Sequence, residues 1–426
     1  MTKEKQDIYA ELSGSKPNMR FAEFHDKWEK CFFSQIALKI QDGTHFSPKP
    51  NENGKYLYLT SKNIKNGYID LSKVDFILQE AHEKIYKRCD VKYGDVLVTK
   101  DGTIGQVCVN DLSEPFSLLS SVAFIRVNHE NNNHFLCQLI ASPIGQNEIR
   151  KSIAGQALKR ITLTKLNGFR QFFPSLPEQQ KIANFLTAVD DKIQQLTKKK
   201  KLLEQYKKGV MQKIFSQEIR FKDDDGNDYP DWEEKKLGEL IIKMQSGISR
   251  LLNDSDIGLP VIRSNNLTND RLNVNDIKYW YIEDNQGVNL ENYILRDGDL
   301  LVNFINSIAQ IGKIALFEDL LGRDTIFTTN LMRLSFMEGI NEYYMFYYFC
   351  TSTYNKHIQS ITKPAVNQAS FTTKDFQRLN VSLPCKTEQQ KIADFLSSID
   401  KKIESVNAQV EKTKEFKKGL LQQMFV

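Results

Sequence analysis

The nine residues EQQKIANFL at 178–186 return as EQQKIADFL at 388–396, a spacing of 210 residues. That offset holds without a gap to the end of the sequence, where YKKGVMQKIF at 206–215 meets FKKGLLQQMF at 416–425. Ile182, Val189, Leu196, Leu203 and Val210 recur every seven residues, as do Ile392, Ile399, Val406, Thr413 and Leu420. Phe185 and Tyr206, matched by Phe395 and Phe416, occupy the complementary d-type positions. An apolar seam on a 3.5-residue period predicts helices that coil around a partner helix, and two copies in one chain make each other the obvious partner. Each helix is about 38 residues, so about 57 Å at 1.5 Å per residue. A short return link most simply gives an antiparallel pair with a globular domain at each end.

The 426 residues suffice for two or three domains with proper cores. A net charge of +5 permits nucleic-acid binding without demanding it. Cys31, Cys89, Cys108, Cys137, Cys350 and Cys385 form no C-x-x-C pair, which predicts reduced, mostly buried thiols. No apolar run approaches the roughly 18 residues of a membrane span and the first residues are polar, so the expected location is cytoplasmic.

The repeat extends beyond the helices. Arg20-Phe21 and Trp28 have counterparts in Arg220-Phe221 and Trp232. YLTSKNI at 58–64 answers VIRSNNL at 261–267, and YGDVLVTKDGTIGQVCV at 93–109 answers DGDLLVNFINSIAQIGKIAL at 297–316, the second turn being three residues longer. Both blocks read as a Gly-Asp turn, a short strand, a polar turn and another strand. Helical patterns follow at about 133–150 and 341–360, and SLP at 175–177 and 382–384 places a proline to start each long helix. On this alignment CKT at 385–387 is an insertion in the second copy. The predicted fold class is α+β: two mixed α/β domains separated by two long helices forming an antiparallel coiled coil, with an internal pseudo-two-fold repeat.

Motifs for chemistry are missing. There is no G-x-x-x-x-G-K-[ST], and GTIG at 102–105 is too short for a dinucleotide fingerprint. No [DN]-P-P-[FYW] tetrad is present to hold an extruded base. Pro230-Asp231 with Glu234 and Lys236 is too tightly spaced for a nuclease metal site. The histidines match no metal spacing and are expected at the surface. No catalytic residue, metal or cofactor is therefore assigned to the chain.

Polar loops at matched positions are candidates for reading DNA, because base edges require amides and bidentate donors while phosphates take Lys, Arg and backbone amides. In the first domain these are Thr44, His45, Lys62, Asn63, Lys100, Thr103, Gln156, Lys159 and Arg160. In the second they are Arg263, Asn265, Asn266, Asn303, Asn306, Gln310, Lys363, Asn367 and Gln368. Similar scaffolds with different polar residues would read two different short sequences. The lysine run Lys198–Lys201 reads as a solvated helix face.

LP…EQQKIA(N/D)FL…D.KI followed by (Y/F)KKG…(I/M)F, with RFKDDDGNDYPDWEEKKLGEL opening the second half and DGTHFSPK at 42–49, resembles the specificity subunit of type I restriction–modification systems. The resemblance covers essentially the whole chain. It implies target-recognition domains at 20–175 and 218–380, each reading one half of a bipartite double-stranded DNA site. Conserved helical regions at 176–217 and 381–426 would set the spacing and dock two adenine-N6 methyltransferase subunits, with an arm at 1–19. Restriction subunits would complete the complex. S-adenosylmethionine would belong to the methyltransferases, and ATP and Mg²⁺ to the restriction subunits. The rival readings are a self-contained methyltransferase or nuclease, and a coiled-coil scaffold that does not read DNA.

Overall fold

A computed structural model describes residues 16–155, 159–268, 271–365 and 368–426. The chain forms two compact units, one from residues up to 199 together with 406–426, the other from 200–405. The long helices are Leu176–Phe215 and Lys386–Gln423.

In the first unit a four-stranded antiparallel sheet runs in the order Ala37–Asp42, Val122–Val127, Val96–Thr99, Val107–Val109. The middle strands are continuous apolar runs because both faces are covered. On one side lie helices Asn133–Ala141 and Pro143–Ile153 and the start of the first long helix; on the other lies the core of the small sheet Asp75–Ile77, Tyr56–Leu59, Ser117–Leu118. A two-stranded ribbon, Glu29–Phe32 with Arg170–Phe173, closes the domain at the root of the helix.

The second unit repeats this plan. Its large sheet is Ile241–Ser246, Leu331–Phe336, Leu300–Asn303, Ile314–Leu316; its small sheet is Lys278–Trp280, Leu259–Ile262, Ile326–Phe327; its ribbon is Glu233–Lys236 with Asn380–Leu383. The longer turn after Asn303 has a structural result. Ile305–Asn306 pairs with Ala369–Ser370, which pairs with Lys363–Pro364, giving a three-stranded arm. The predicted helices near 133–150 and 341–360 are each two helices. Ser142 and Thr351 interrupt them, their hydroxyls accepting from Gly145 N and Tyr354 N as N-caps.

The repeated EQQ motif has a physical cause. Glu178 is buried and accepts from the Arg20 guanidinium at 2.7 Å and from Trp28 Nε1 at 3.2 Å. Glu388 accepts from Arg220 at 2.7 Å and Trp232 Nε1 at 2.9 Å. Gln179 accepts from Asn132 N and donates to Pro174 O; Gln389 accepts from Asn341 N and donates to Pro384 O, each at 2.9 Å. The motif thus fixes a long helix to its own domain. It also corrects the alignment of the prolines. Pro384 is the counterpart of Pro174, not of Pro177, so CKT is no insertion and both helices start in register.

Within each unit the long helices run antiparallel. In the first, Ile182, Leu186 and Val189 pack with Leu420, Leu421 and Met424. In the second, Met211 and Ile214 pack with Ile392, Leu396, Ile399 and Ile403. Burial of such side chains stabilises by about 1.5–3 kcal/mol each and dominates the seam. Ion pairs add register: Lys417 to Asp190 at 2.6 Å and Lys207 to Asp400 at 2.7 Å, the same pair in both copies. Ile182, Val189, Leu196, Ile392, Ile399, Val406 and Leu420 are buried, and Leu203, Val210 and Thr413 half-buried.

The complementary row differs from expectation. It passes through Leu186, Leu396, Ile403 and Val410, one position beyond the predicted d-type aromatics. A helix that packs on a domain as well as on another helix buries a wider stripe than a two-helix seam. Phe185 and Phe395 instead meet Phe21 and Phe221, with ring centroids 5.9 and 5.5 Å apart. Tyr206 and Phe416 are exposed.

Among the described residues no helix is long and apolar enough to cross a membrane. Cys89, Cys108 and Cys137 are buried and the other three cysteines half-buried, and none of these six is in a disulfide. His82 departs from the expectation of surface histidines. It is buried, stacked on Tyr56 at 3.8 Å, with Nδ1 3.0 Å from Ser117 Oγ, and burial lowers its pKa.

Candidate nucleic-acid interface

Three loops meet at one edge of each domain, held by the same backbone bonds. In the first domain Thr44 N donates to Leu118 O, Leu119 N to Leu59 O and Ser120 N to Thr44 O, at 2.8–2.9 Å. In the second Ile248 N donates to Phe327 O, Thr328 N to Ile262 O and Thr329 N to Ile248 O, at 2.9–3.0 Å. The approach is so close that a Cβ on Gly43 would lie 2.1 Å from Leu118 O, and one on Gly247 2.1 Å from Phe327 O. Only glycine fits either loop.

Asn63 and Asn266, assigned above to reading DNA, are buried struts of this frame. Asn63 Oδ1 accepts from Thr60 N and its Nδ2 donates to Asp70 O and Lys73 O. Asn266 Oδ1 accepts from Arg263 N and its Nδ2 donates to Asn273 O and Asp276 O. Both amides are engaged on backbone, as buried amides must be.

Lys100 and Thr44 are also buried, against expectation. Lys100 Nζ donates to Asp42 Oδ2 at 2.5 Å, Arg88 donates to Asp42 Oδ1 at 2.8 Å, and His45 Nε2 lies 3.4 Å from Asp42. With its charge matched inside the domain, Lys100 is an anchor for Asp42 and not a free cation. Thr44 Oγ1 accepts from Phe46 N. His45, Lys62, Thr103, Lys159 and Arg160 remain exposed. The structure brings their loops together: Thr103 Oγ1 donates to Ser61 O at 3.4 Å, and Ile161 N donates to Lys100 O at 3.0 Å.

The second domain replaces this cluster. Ser246 and Phe304 stand where the repeat places Asp42 and Lys100. The equivalent loops border a cleft of about 250 Å³ among Arg250, Arg263, Ser264, Asn265, Thr329 and Asn330. Arg250 is fixed by a two-point pair with Asp284, both contacts at 2.8 Å, and its guanidinium holds the Asp284 carboxyl well below the usual range. Arg263 donates to Asp276 O and Oδ2 at 2.8 Å, which sets its direction. Asn265, Lys363 and Gln368 are exposed, and Lys363 pairs with Asp375 at 3.2 Å. Asn303 is buried, its Nδ2 donating to Gln310 O at 3.0 Å, so it shapes the turn that Gln310 closes. Asn306, half-buried, accepts from Ser307 N. Gln156 and Asn367 lie outside the described residues.

Sequence reasoning missed Arg250 and the third loop, Leu119–Ser121 in one domain and Thr328–Asn330 in the other. Nothing local marks them; Arg250 gains its meaning from Asp284, and the third loop from a parallel strand pairing.

A duplicated domain whose bonding frame recurs while its loop side chains change is the architecture of a two-part recognition protein. The chain belongs to the family of the type I restriction modification DNA specificity domain, whose profile matches residues 25–205 and 229–414. DNA target recognition is the role that family carries. Among its relatives, the MjaVIII specificity subunit of Methanocaldococcus jannaschii is 22% identical over 390 residues, covering 86% of this chain and 84% of the relative. The EcoKI specificity subunit of Escherichia coli is 21% identical, covering 83% and 77%. A putative MjaX specificity subunit of M. jannaschii is 29% identical over 50% of this chain, which spans 49% of that relative's length. The fold is similar to the crystal structure of a type I restriction–modification S subunit from M. genitalium, with TM-score 0.60, 16% identity and coverage of 96% and 99%.

Proposed function

We propose that each domain reads one half of a bipartite double-stranded DNA site, and that the long helices fix the gap between halves and dock two adenine-N6 methyltransferase subunits. The observation that carries this reading is the loop frame, repeated bond for bond with exchanged side chains. Target-recognition domains at 20–175 and 218–380 and helical regions at 176–217 and 381–426 belong to the same proposal; the arm expected at 1–19 lies, up to residue 15, outside the described residues. The chain itself carries out no reaction. Methyl transfer with S-adenosylmethionine falls to the methyltransferases, and ATP-driven, Mg²⁺-dependent cleavage to restriction subunits, in the cytoplasm beside the genome.

His45, Lys62, Thr103, Lys159 and Arg160 in the first domain are the proposed DNA-facing residues. In the second they are Arg263, Asn265, Asn306, Gln310, Lys363 and Gln368, joined by Arg250 at the cleft. Lys62 and Arg160 suit phosphates, and Asn265 suits an adenine edge. The test is binding to duplexes across a salt series. Lys62→Ala is expected to weaken binding to every sequence and reduce the slope of log K against log salt by about 0.9. Asn265→Ala is expected to relax one position of one half-site. Unchanged binding in both variants would remove these loops from the interface.

A further inference from the structure

The second domain holds one apolar side chain out in water on a loop that is tied down around it. Leu251 is 93% exposed, more than any other large apolar side chain among the described residues. A scattered leucine on a surface is ordinary; this one is braced on both sides. Its predecessor Arg250 is tied to Asp284, which also accepts from Trp280 Nε1 at 3.1 Å and from Val288 N at 2.9 Å. Its successor Leu252 packs on the core around Val261, Trp280 and Ile326. Just beyond, Asn253 N donates to Tyr279 O at 3.0 Å and Tyr279 N to Asn253 O at 2.9 Å. With both neighbours fixed to the domain, Leu251 is kept in solvent between them. Ile248, Ser249 and Arg250, the three residues before it, line the cleft that Arg263 and Asn265 share. In the first copy the residue after Phe46 is Ser47, so apolar character at this place is among the features the repeat exchanges.

We propose that Leu251 is a specificity-determining residue of the second domain, covering the 5-methyl group of a thymine in the major groove of its half-site. This rests on the recognition reading above. Each base pair shows a different edge in the major groove, and the thymine methyl is the apolar feature of that code. Guanidinium and amide groups have nothing to offer it. An aliphatic side chain does, because contact removes apolar surface of both from water. The bracing serves the same end: a loop already ordered before DNA arrives loses little freedom on binding. The surroundings favour DNA over a protein partner. The cleft beside Leu251 is lined by Ser249, Ser264, Asn265, Thr329 and Asn330, groups suited to base edges and phosphates.

The experiment uses the full chain with its methyltransferase and short duplexes carrying the motif read from its modified adenines. Each thymine of the two half-sites is replaced in turn by deoxyuridine, which lacks only the methyl group. At one thymine of one half-site the wild-type affinity is expected to fall about fourfold, the worth of one buried methyl group. Leu251→Ser is expected to bind the unmodified duplex about tenfold more weakly and to be indifferent to that replacement. Its Tm should match wild type, because the side chain is exposed. A wild-type complex indifferent to deoxyuridine at every thymine overturns the proposal. So does a Leu251→Ser complex that keeps the wild-type response to deoxyuridine. A variant that loses the methyltransferase instead of DNA affinity also overturns it, and would assign Leu251 to a protein contact. A wild-type complex with no sequence preference overturns the recognition reading itself, a result distinct from these.

Discussion

The roots of the two long helices and the loop edges of the two domains are both repeated, but in different ways. At the roots, side chains and bonds recur together: Arg20, Trp28 and Glu178 against Arg220, Trp232 and Glu388, and Gln179 against Gln389. At the loop edges the backbone bonds and the buried asparagine recur, while the side chains around them change. Asp42 with Lys100 and Arg88 becomes Ser246 with Phe304, and Phe46 becomes Arg250 bound to Asp284. Where both domains must do the same thing, the chemistry is duplicated. Where they differ, only the frame is. Under the proposed function, specificity would reside in residues the repeat does not preserve.

The largest difference is expected at the Asp42 position. Asp42→Ala leaves Lys100 buried without its partner and should destabilise the first domain by about 3–5 kcal/mol. Ser246→Ala removes one exposed hydroxyl that donates to Thr329 O, and should cost about 1 kcal/mol or less. Urea unfolding of the two variants measures the contrast, and equal losses would break it. A smaller and symmetrical effect is expected at the struts. Asn63→Ala and Asn266→Ala each leave buried backbone carbonyls unmatched, at about 1–3 kcal/mol. Residual DNA binding should keep the original sequence preference, because neither amide faces outward. The smallest effect belongs to the first domain. His82 is neutral in the fold because burial lowers its pKa, so the unfolded chain takes up the proton first. Its contribution is fully present above about pH 6.5 and is lost as pH falls through the lowered folded value. Thermal melts should show a shallower drop below pH 6.5 in His82→Gln than in wild type.

Much of the architecture was legible in the primary structure, because a 210-residue repeat with a heptad period admits few folds. The domain frame was legible wherever a turn needs a particular residue, as in the Gly-Asp blocks. The candidate interface was legible only as loops. Whether a polar loop residue points outward depends on partners far along the chain: Lys100 is buried because Asp42 lies 58 residues before it, and Asn63 because its amide reaches Asp70 and Lys73. The misplaced SLP alignment has a similar origin. The two SLP strings are identical but out of register, and the bonds of Gln179 and Gln389 pair Pro174 with Pro384. The heptad template puts Phe185 and Tyr206 in one row, and it does not separate a ring that meets Phe21 edge-on from one more than half exposed.

The central claim is tested most directly by co-expressing the chain with its methyltransferase in a methylation-free host and mapping modified adenines across the genome. The account predicts a two-part motif with a fixed unspecified gap, absent when either subunit is omitted. Insertion of whole helical turns between Leu196 and Leu203 should lengthen the gap and leave both half-sites unchanged. Methylation by this chain alone, or half-sites that change with helix length, would contradict it.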